Sequence, residues 1–222
     1  MISLSIILMI LLLNRRLPVV MARTMWAPGI LWGCGIKISV TGTENINVKD
    51  PHVFISNHLS YLDIPVLFRV IPANIYFIAK RELKWLPFIG QYMMATGMLF
   101  VNRDNRHKAI ISLRKAARLV SKGKNVLMFP EGTRSKDGKV NAFKKGPFHL
   151  AKDAGVSVVP IAINGTNHIL SNSGKITPGK VTVNIGAPLQ SIDYSTINAF
   201  IDFSQERVIE LQEEGRKQVV AS

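Results

Sequence analysis

HVFISNHLSYLD, residues 52–63, is the stretch from which the rest of the chain can be read. Its first five residues, HVFIS (52–56), are mostly apolar, two of them β-branched, as in a buried strand. They run directly into Asn57-His58, and Asp63 follows five residues later. A strand that ends in a polar loop and leads on to a helix is the repeating unit of an α/β domain. The unit recurs: MLFV (98–101) runs into Asn102-Arg103, and NVLMF (125–129) into Pro130-Glu131-Gly132-Thr133-Arg134. With IKISVT (36–41), IYFIA (75–79), VSVVPIAI (156–163) and KVTVNI (180–185), about seven strands are expected.

Helical patterns fill the intervals. In residues 105–122, Ile110, Leu113, Ala117 and Val120 share one side, while Lys108, Arg114, Lys115, Arg118 and Lys122 lie largely elsewhere. That is an amphipathic helix with a basic, solvated outer face. Residues 145–154 and 195–218 read as further helices, the second charged and peripheral. No internal repeat or low-complexity linker interrupts the pattern. The expected fold class is α/β, a single domain over 36–222 with a central mixed sheet flanked by helices.

Residues 1–35 read differently. MISLSIILMILLL (1–13) is almost wholly apolar and is followed by Asn14, Arg15 and Arg16. A helix of that length rises about 20 Å, short of the roughly 30 Å hydrocarbon core. A second apolar stretch, 17–36, carries Trp26 and Trp32, which suit a membrane interface, and Pro18 and Pro28, which loosen a helical reading. A cleaved signal peptide would need a basic region before the apolar run and a small-x-small site after it, and neither is present. The expectation is a membrane-anchoring helical segment, either a helix pair or one tilted span plus an interfacial helix.

The charge balance bounds the partners. Against 14 acidic residues stand 28 Lys and Arg, giving a formal +14 and a pI near 10.2. Nucleic acid, an anionic leaflet or an anionic soluble substrate would each answer that charge. Apolar residues make up 47% of the chain, which excludes a disordered chain, and a mean hydropathy of +0.19 leans toward membrane contact. The single cysteine, Cys34, excludes an intramolecular disulfide, and its neighbours in LWGCGI favour a buried, inert thiol.

The chemistry concentrates in the three loops that follow strands, where α/β sheets bind ligands. On one continuous helix His58 and Asp63 would stand about 140° apart around the axis and would not meet. With a turn between them, and Asp63 in the first turn of the next helix, the carboxylate can hold one ring nitrogen and leave the other as a base. No serine or cysteine sits in a nucleophile-elbow pattern, so the pair suits deprotonation of a substrate hydroxyl. Ser60 is expected to cap the following helix. Metal binding by His52, His58 and Asp63 would be the rival chemistry, but no HExxH pair or cysteine partner supports it, and no metal site is expected. His107, His149 and His168 lack acidic neighbours at useful spacing and read as structural.

In the third loop Gly132 allows close backbone approach, Thr133 adds a hydroxyl, and Arg134 offers a planar fork for phosphate. Glu131, which phosphate would repel, is left to orient a substrate hydroxyl or to pair with Arg134 or Arg103. Taken alone, the cluster also reads as an ordinary polar turn.

Together these motifs resemble the glycerophospholipid acyltransferase family, in particular its 1-acylglycerol-3-phosphate O-acyltransferases. The resemblance rests on NHLSYLD (57–63), AKREL with Pro87 and Gly90 beyond it, GMLFVNR (97–103), FPEGTRS (129–135), FKKG (143–146) and VPIAI (159–163), in that order. It implies that His58 takes the proton from the sn-2 hydroxyl of lysophosphatidate as that oxygen attacks an acyl thioester, with Asp63 orienting His58. By motif position it puts Glu131, Gly132, Thr133 and Arg134 at the glycerophosphate, with Arg103 and Lys80 adding positive charge. The products are phosphatidic acid and a free carrier thiol; acyl-CoA or acyl-carrier protein is co-substrate, and no cofactor is implied. The implied site of action is the cytoplasmic face of a bacterial inner membrane, with an anionic leaflet as partner and no nucleic acid. Three other readings stay open on the residues: acylation of glycerol-3-phosphate or another lysolipid, a non-catalytic basic membrane-surface protein, and a nucleic-acid binder.

Overall fold

The computed structural model describes residues 16–87, 89–101, 106–171 and 174–220. The apolar run 1–13 and Arg103 lie outside the described residues.

Seven strands form one sheet: β1 (Ile36–Thr41), β2 (His52–Ser56), β3 (Ile75–Lys80), β4 (Leu99–Val101), β5 (Asn125–Met128), β6 (Ser157–Asn164) and β7 (Gly179–Ile185). Their order across the sheet is β1-β7-β6-β2-β5-β3-β4. All pairs are parallel except β6–β7, so the sheet is mixed, as expected. The five strands from β6 to β4 point the same way and end on one edge. The polar loops that follow β2 and β5 therefore emerge side by side. β2 and β6 are buried at every position, as befits central strands covered on both faces, whereas β1 alternates between half-buried and exposed at the sheet's margin.

Successive residues of each strand face opposite ways, which divides the core in two. On one face Phe54, Leu127, Val159 and Val181 meet α3 (Asp63–Val70) and the N-terminal helices α1 (Leu17–Met21) and α2 (Ala27–Gly33), which a π-helical turn at Ala22–Trp26 joins. On the other, Val53, Ile55, Val126 and Val158 meet α5 (Arg106–Val120), α6 (Gly146–Ala154) and α8 (Ile197–Val220). The short α4 (Ile89–Thr96) and α7 (Thr166–Ile169) complete the helices.

Two sequence expectations are corrected. The stretch 17–33, read as part of a separate appendage, packs into the first core through Val19, Ala22, Ala27 and Leu31, with Cys34 buried beside them. Its prolines do not end the helical run: Pro18 falls at the start of α1, where no N–H is needed, and Pro28 follows the π-helical turn. Trp26 packs edge-on against Phe68 of α3 at 6.0 Å, and Trp32 stands 87% exposed. Among the described residues no helix is long and apolar enough to cross a membrane. The second correction concerns α8, which is not peripheral. Its acidic residues face outward, but Phe200, Ile201, Val208 and Leu211 are buried, and Asn164, Thr182 and Asn184 of the sheet donate to its carbonyls at Gln212, Gly215 and Leu211. A Cβ on Gly215 would lie 2.5 Å from the Asn164 amide, so only glycine lets the helix come that close.

Candidate active site

Asn57, buried at the end of β2, uses its side-chain amide as an extra rung of the ladder. It donates to the Ile163 carbonyl (2.9 Å) and accepts the Ile163 N–H (2.8 Å). The next residue, His58, therefore leaves the sheet at a fixed point. A tight turn follows, closed by the Asp63 N–H donating to the Ser60 carbonyl (3.2 Å). Ser60 does not cap the helix as expected: its hydroxyl accepts the Leu62 N–H (3.3 Å) within the turn, and the N-cap position, Leu62, makes no side-chain bond.

Asp63 is the first residue of α3, and its carboxylate, wholly buried, turns back over this loop. Oδ2 accepts the Leu59 N–H (2.7 Å) and the Ser60 N–H (2.9 Å) and lies 2.7 Å from His58 Nδ1. Oδ1 accepts the Thr166 hydroxyl (2.5 Å). An oxygen already accepting from two backbone N–H groups has only acceptor capacity to offer, so the imidazole proton sits on Nδ1. Nε2 is left as the acceptor nitrogen, and among the described residues no hydrogen bond engages it. The ring stacks on Phe129 at 3.9 Å between centroids and 13° between planes, and its side chain keeps 16% exposure.

Glu131 holds the two loops together. One oxygen accepts the His58 N–H (2.8 Å); the other accepts the Asn141 N–H (3.0 Å) and side-chain amide (2.7 Å). Among the described residues no arginine pairs with it. The Ser135 N–H donates to the His58 carbonyl (2.7 Å), a second strap from the same loop. Beyond it Asp137 accepts the Lys139 N–H and the Ser135 hydroxyl, which hold its carboxyl below the usual range.

A cleft of about 200 Å³ opens at His58. Phe77, Ile78, Leu127 and Phe129 form its apolar wall and Gly132, Thr133 and Arg134 its polar one. Gly132 has φ +75°. Arg134 lies over the Tyr61 ring at 3.9 Å and donates to its hydroxyl (3.2 Å). The structure thus brings together His58, Asp63, Glu131, Gly132, Thr133 and Arg134. Lys80, at the end of β3, shares their edge of the sheet but does not line the cleft, and its ammonium stands 3.7 Å from Glu82. His52 belongs to the opposite edge, where both ring nitrogens are engaged, with the Ser157 hydroxyl (2.7 Å) and the Asn47 carbonyl (3.0 Å). Among the described residues no three His, Cys, Asp or Glu side chains gather as a metal site would require.

Thr166 belongs to the site without having been named from the sequence, and Phe129 and Asn57, quoted there within their motifs, had no role assigned. One of them carried a signal: β6, like β2 and β5, ends in a polar cluster, Asn164-Gly165-Thr166, and the rule applied to the other loops also points there. The contribution of Asn57, a side chain acting as backbone, has no sequence pattern of its own.

Residues 37–164 match the family model described as Acyltransferase. Among curated proteins the chain is 36% identical to a 1-acyl-sn-glycerol-3-phosphate acyltransferase of Saccharomyces cerevisiae, across 84% of this chain and 59% of that one. It is 34% identical to the protein of that name from Borreliella burgdorferi, across 65% and 60%. The chain thus spans about three fifths of the length of these two relatives. Among solved structures, the 1-acyl-sn-glycerophosphate (LPA) acyltransferase PlsC of Thermotoga maritima superposes with a TM-score of 0.79 at 31% identity, over 90% of this chain and 80% of that one.

Proposed function

The chain belongs to the acyltransferase family, and from that premise we propose that it transfers a fatty acyl group from a thioester to the sn-2 hydroxyl of 1-acylglycerol-3-phosphate, forming phosphatidic acid. The names of its relatives support that acceptor. The observation that carries the reaction type is the His58 ring, held by Asp63 through Nδ1 so that Nε2 is its acceptor nitrogen, in a cleft whose other wall is Gly132-Thr133-Arg134.

In this reading the acceptor hydroxyl hydrogen-bonds to Nε2. As its oxygen attacks the thioester carbonyl, the proton passes to Nε2 and the new imidazolium faces the Asp63 carboxylate. Collapse of the tetrahedral intermediate breaks the C–S bond, and the proton returns from Nε2 to the departing thiolate. No enzyme nucleophile and no cofactor enter this scheme. Arg134 receives the acceptor's phosphate, with Gly132 and Thr133 offering backbone and hydroxyl contacts and Arg103 and Lys80 adding positive charge. Glu131 acts from beneath, by holding the His58 loop against the phosphate loop. The donor is acyl-CoA or acyl-carrier protein, either of which the formal +14 attracts. A lipid acceptor requires the chain to work at a bilayer. Exposed Met25, Trp26 and Trp32 on the N-terminal helices suit an interface there, and the basic surface suits an anionic cytoplasmic leaflet.

Incubating the protein with labelled acyl-CoA and a panel of lysolipids tests the acceptor, with labelled phosphatidic acid as the expected product. His58→Ala tests the base. Its ring is not part of the core, so the fold should persist while turnover falls more than about a hundredfold. A variant retaining more than that hundredth would leave the base unassigned.

A further inference from the structure

We infer that Lys144 is a second phosphate-binding cation of this cleft, an inference that rests on the Gly132–Arg134 loop being the site of the acceptor's phosphate. The main chain of Lys144 is pinned beside that loop, because its N–H donates to the Pro130 carbonyl (3.0 Å) and Phe143 before it is buried against Phe148. From there the side chain runs across Gly132. A Cβ at residue 132 would lie 2.7 Å from Nζ, 3.1 Å from Cε and 3.3 Å from Cδ of Lys144. Gly132 therefore serves two ends: its φ of +75° suits a residue without Cβ, and the missing side chain leaves the space that the lysine occupies.

The charge of Lys144 is not spent on a carboxylate. Among the described residues it forms no ion pair: Asp137, the carboxylate nearest in sequence, accepts from the Ser135 hydroxyl and the Lys139 N–H, and Glu131 has both oxygens taken by His58 and Asn141. The loop's other cation, Arg134, is held on the Tyr61 ring. Lys144, like Lys80, does not itself line the cleft, but its ammonium beside Gly132 and the planar fork of Arg134 two residues on set a point charge and a bidentate donor against the same loop. Together they suit a phosphate dianion better than either alone. Lys145, next in the chain, is exposed at the N-cap position of α6 and is the natural control.

The test compares Lys144→Met, Lys144→Gln, Lys144→Arg, Lys145→Met and Arg134→Ala in the full chain, reading KM for 1-acylglycerol-3-phosphate in mixed micelles and, separately, KM for acyl-CoA. Loss of one charge-assisted contact should raise the acceptor KM about tenfold or more in Lys144→Met and Lys144→Gln. The acyl-CoA KM should hold, Lys144→Arg should restore most of the loss, and Lys145→Met should behave as wild type. If Arg134→Ala raises the acceptor KM while both Lys144 variants match Lys145→Met, the inference is overturned and the phosphate loop stands. If neither Arg134→Ala nor the Lys144 variants affect the acceptor, the loop is not the phosphate site and both readings fall together.

Discussion

Replacing Asp63 by asparagine isolates the charge of the buried carboxylate from its shape. If the amide oxygen takes the place of Oδ2, it keeps the N–H bonds of Leu59 and Ser60, and the Thr166 hydroxyl turns to accept from the new NH₂. The fold should therefore survive. What disappears is a negative charge 2.7 Å from Nδ1, with charge centres about 4 Å apart once the ring is protonated. At an effective dielectric near 20 that attraction is about 4 kcal/mol. It exists only when His58 carries the proton, so the loss falls on the transition state and not on substrate binding. The expected result is a kcat lower by about three orders of magnitude with little change in either KM. Initial rates with labelled acyl-CoA at saturating acceptor measure it, beside a thermal melt that checks the fold. Thr166→Val serves as comparison: it removes one neutral donor from Oδ1 and should cost kcat less than about tenfold. A folded Asp63→Asn protein that keeps more than a tenth of wild-type kcat would refute the electrostatic assignment, as would a Thr166→Val variant equally impaired.

Two further predictions concern stability. Asn57→Leu leaves the buried N–H and C=O of Ile163 without partners at about 1–3 kcal/mol each, so denaturant unfolding should show a loss of about 2–6 kcal/mol, and a loss below about 1 would mean that the ladder extension is dispensable. Burial pushes the Tyr92 phenol up to about 12, and its hydroxyl donates to the Pro18 carbonyl of α1 (3.0 Å). Because an unfolded tyrosine ionises near 10, the folded state binds more protons between about pH 10 and 12. Stability should fall across that window by at most about 2–3 kcal/mol. In Tyr92→Phe that part of the slope should vanish, and an unchanged slope would assign it to other groups.

Much of the fold was legible because each strand announces itself in β-branched and aromatic residues. The parallel edge follows from strands separated by helices. Strand ends were less secure: Phe129 reads as the last residue of NVLMF yet leaves β5 to stack on His58, a difference no single-residue propensity reports. For the stretch 17–33 the packing into the core was not legible, because apolar residues that pack under a sheet and apolar residues that meet lipid look alike in composition. Only the partner, here Phe68 and the rest of α3, tells them apart. In α8 the acidic side chains outweighed a buried stripe in the reading, although its Phe200, Ser204, Val208 and Leu211 spacing is helical. At the site, the spacing of His58 and Asp63 required a turn. That Glu131 ties down the His58 loop, and that Thr166 reaches Asp63 from 103 residues away, are facts of tertiary structure alone.

The place of β1 at the sheet's margin sets a timetable for synthesis. Its hydrogen-bonding partner is β7, with Thr41 and Asn184 meeting 143 residues apart. At about 5–20 residues per second, a ribosome takes roughly 7–30 s to produce that partner after β1 has appeared. Throughout that interval the first strand has no mate, and the sheet that α1 and α2 will cover is incomplete. The nascent chain must shelter Val19, Ala22, Ala27 and Leu31, which the finished core buries, elsewhere, on a chaperone or against a bilayer. The last strand to emerge thereby gives β1 its mate and completes the face on which α1 and α2 pack.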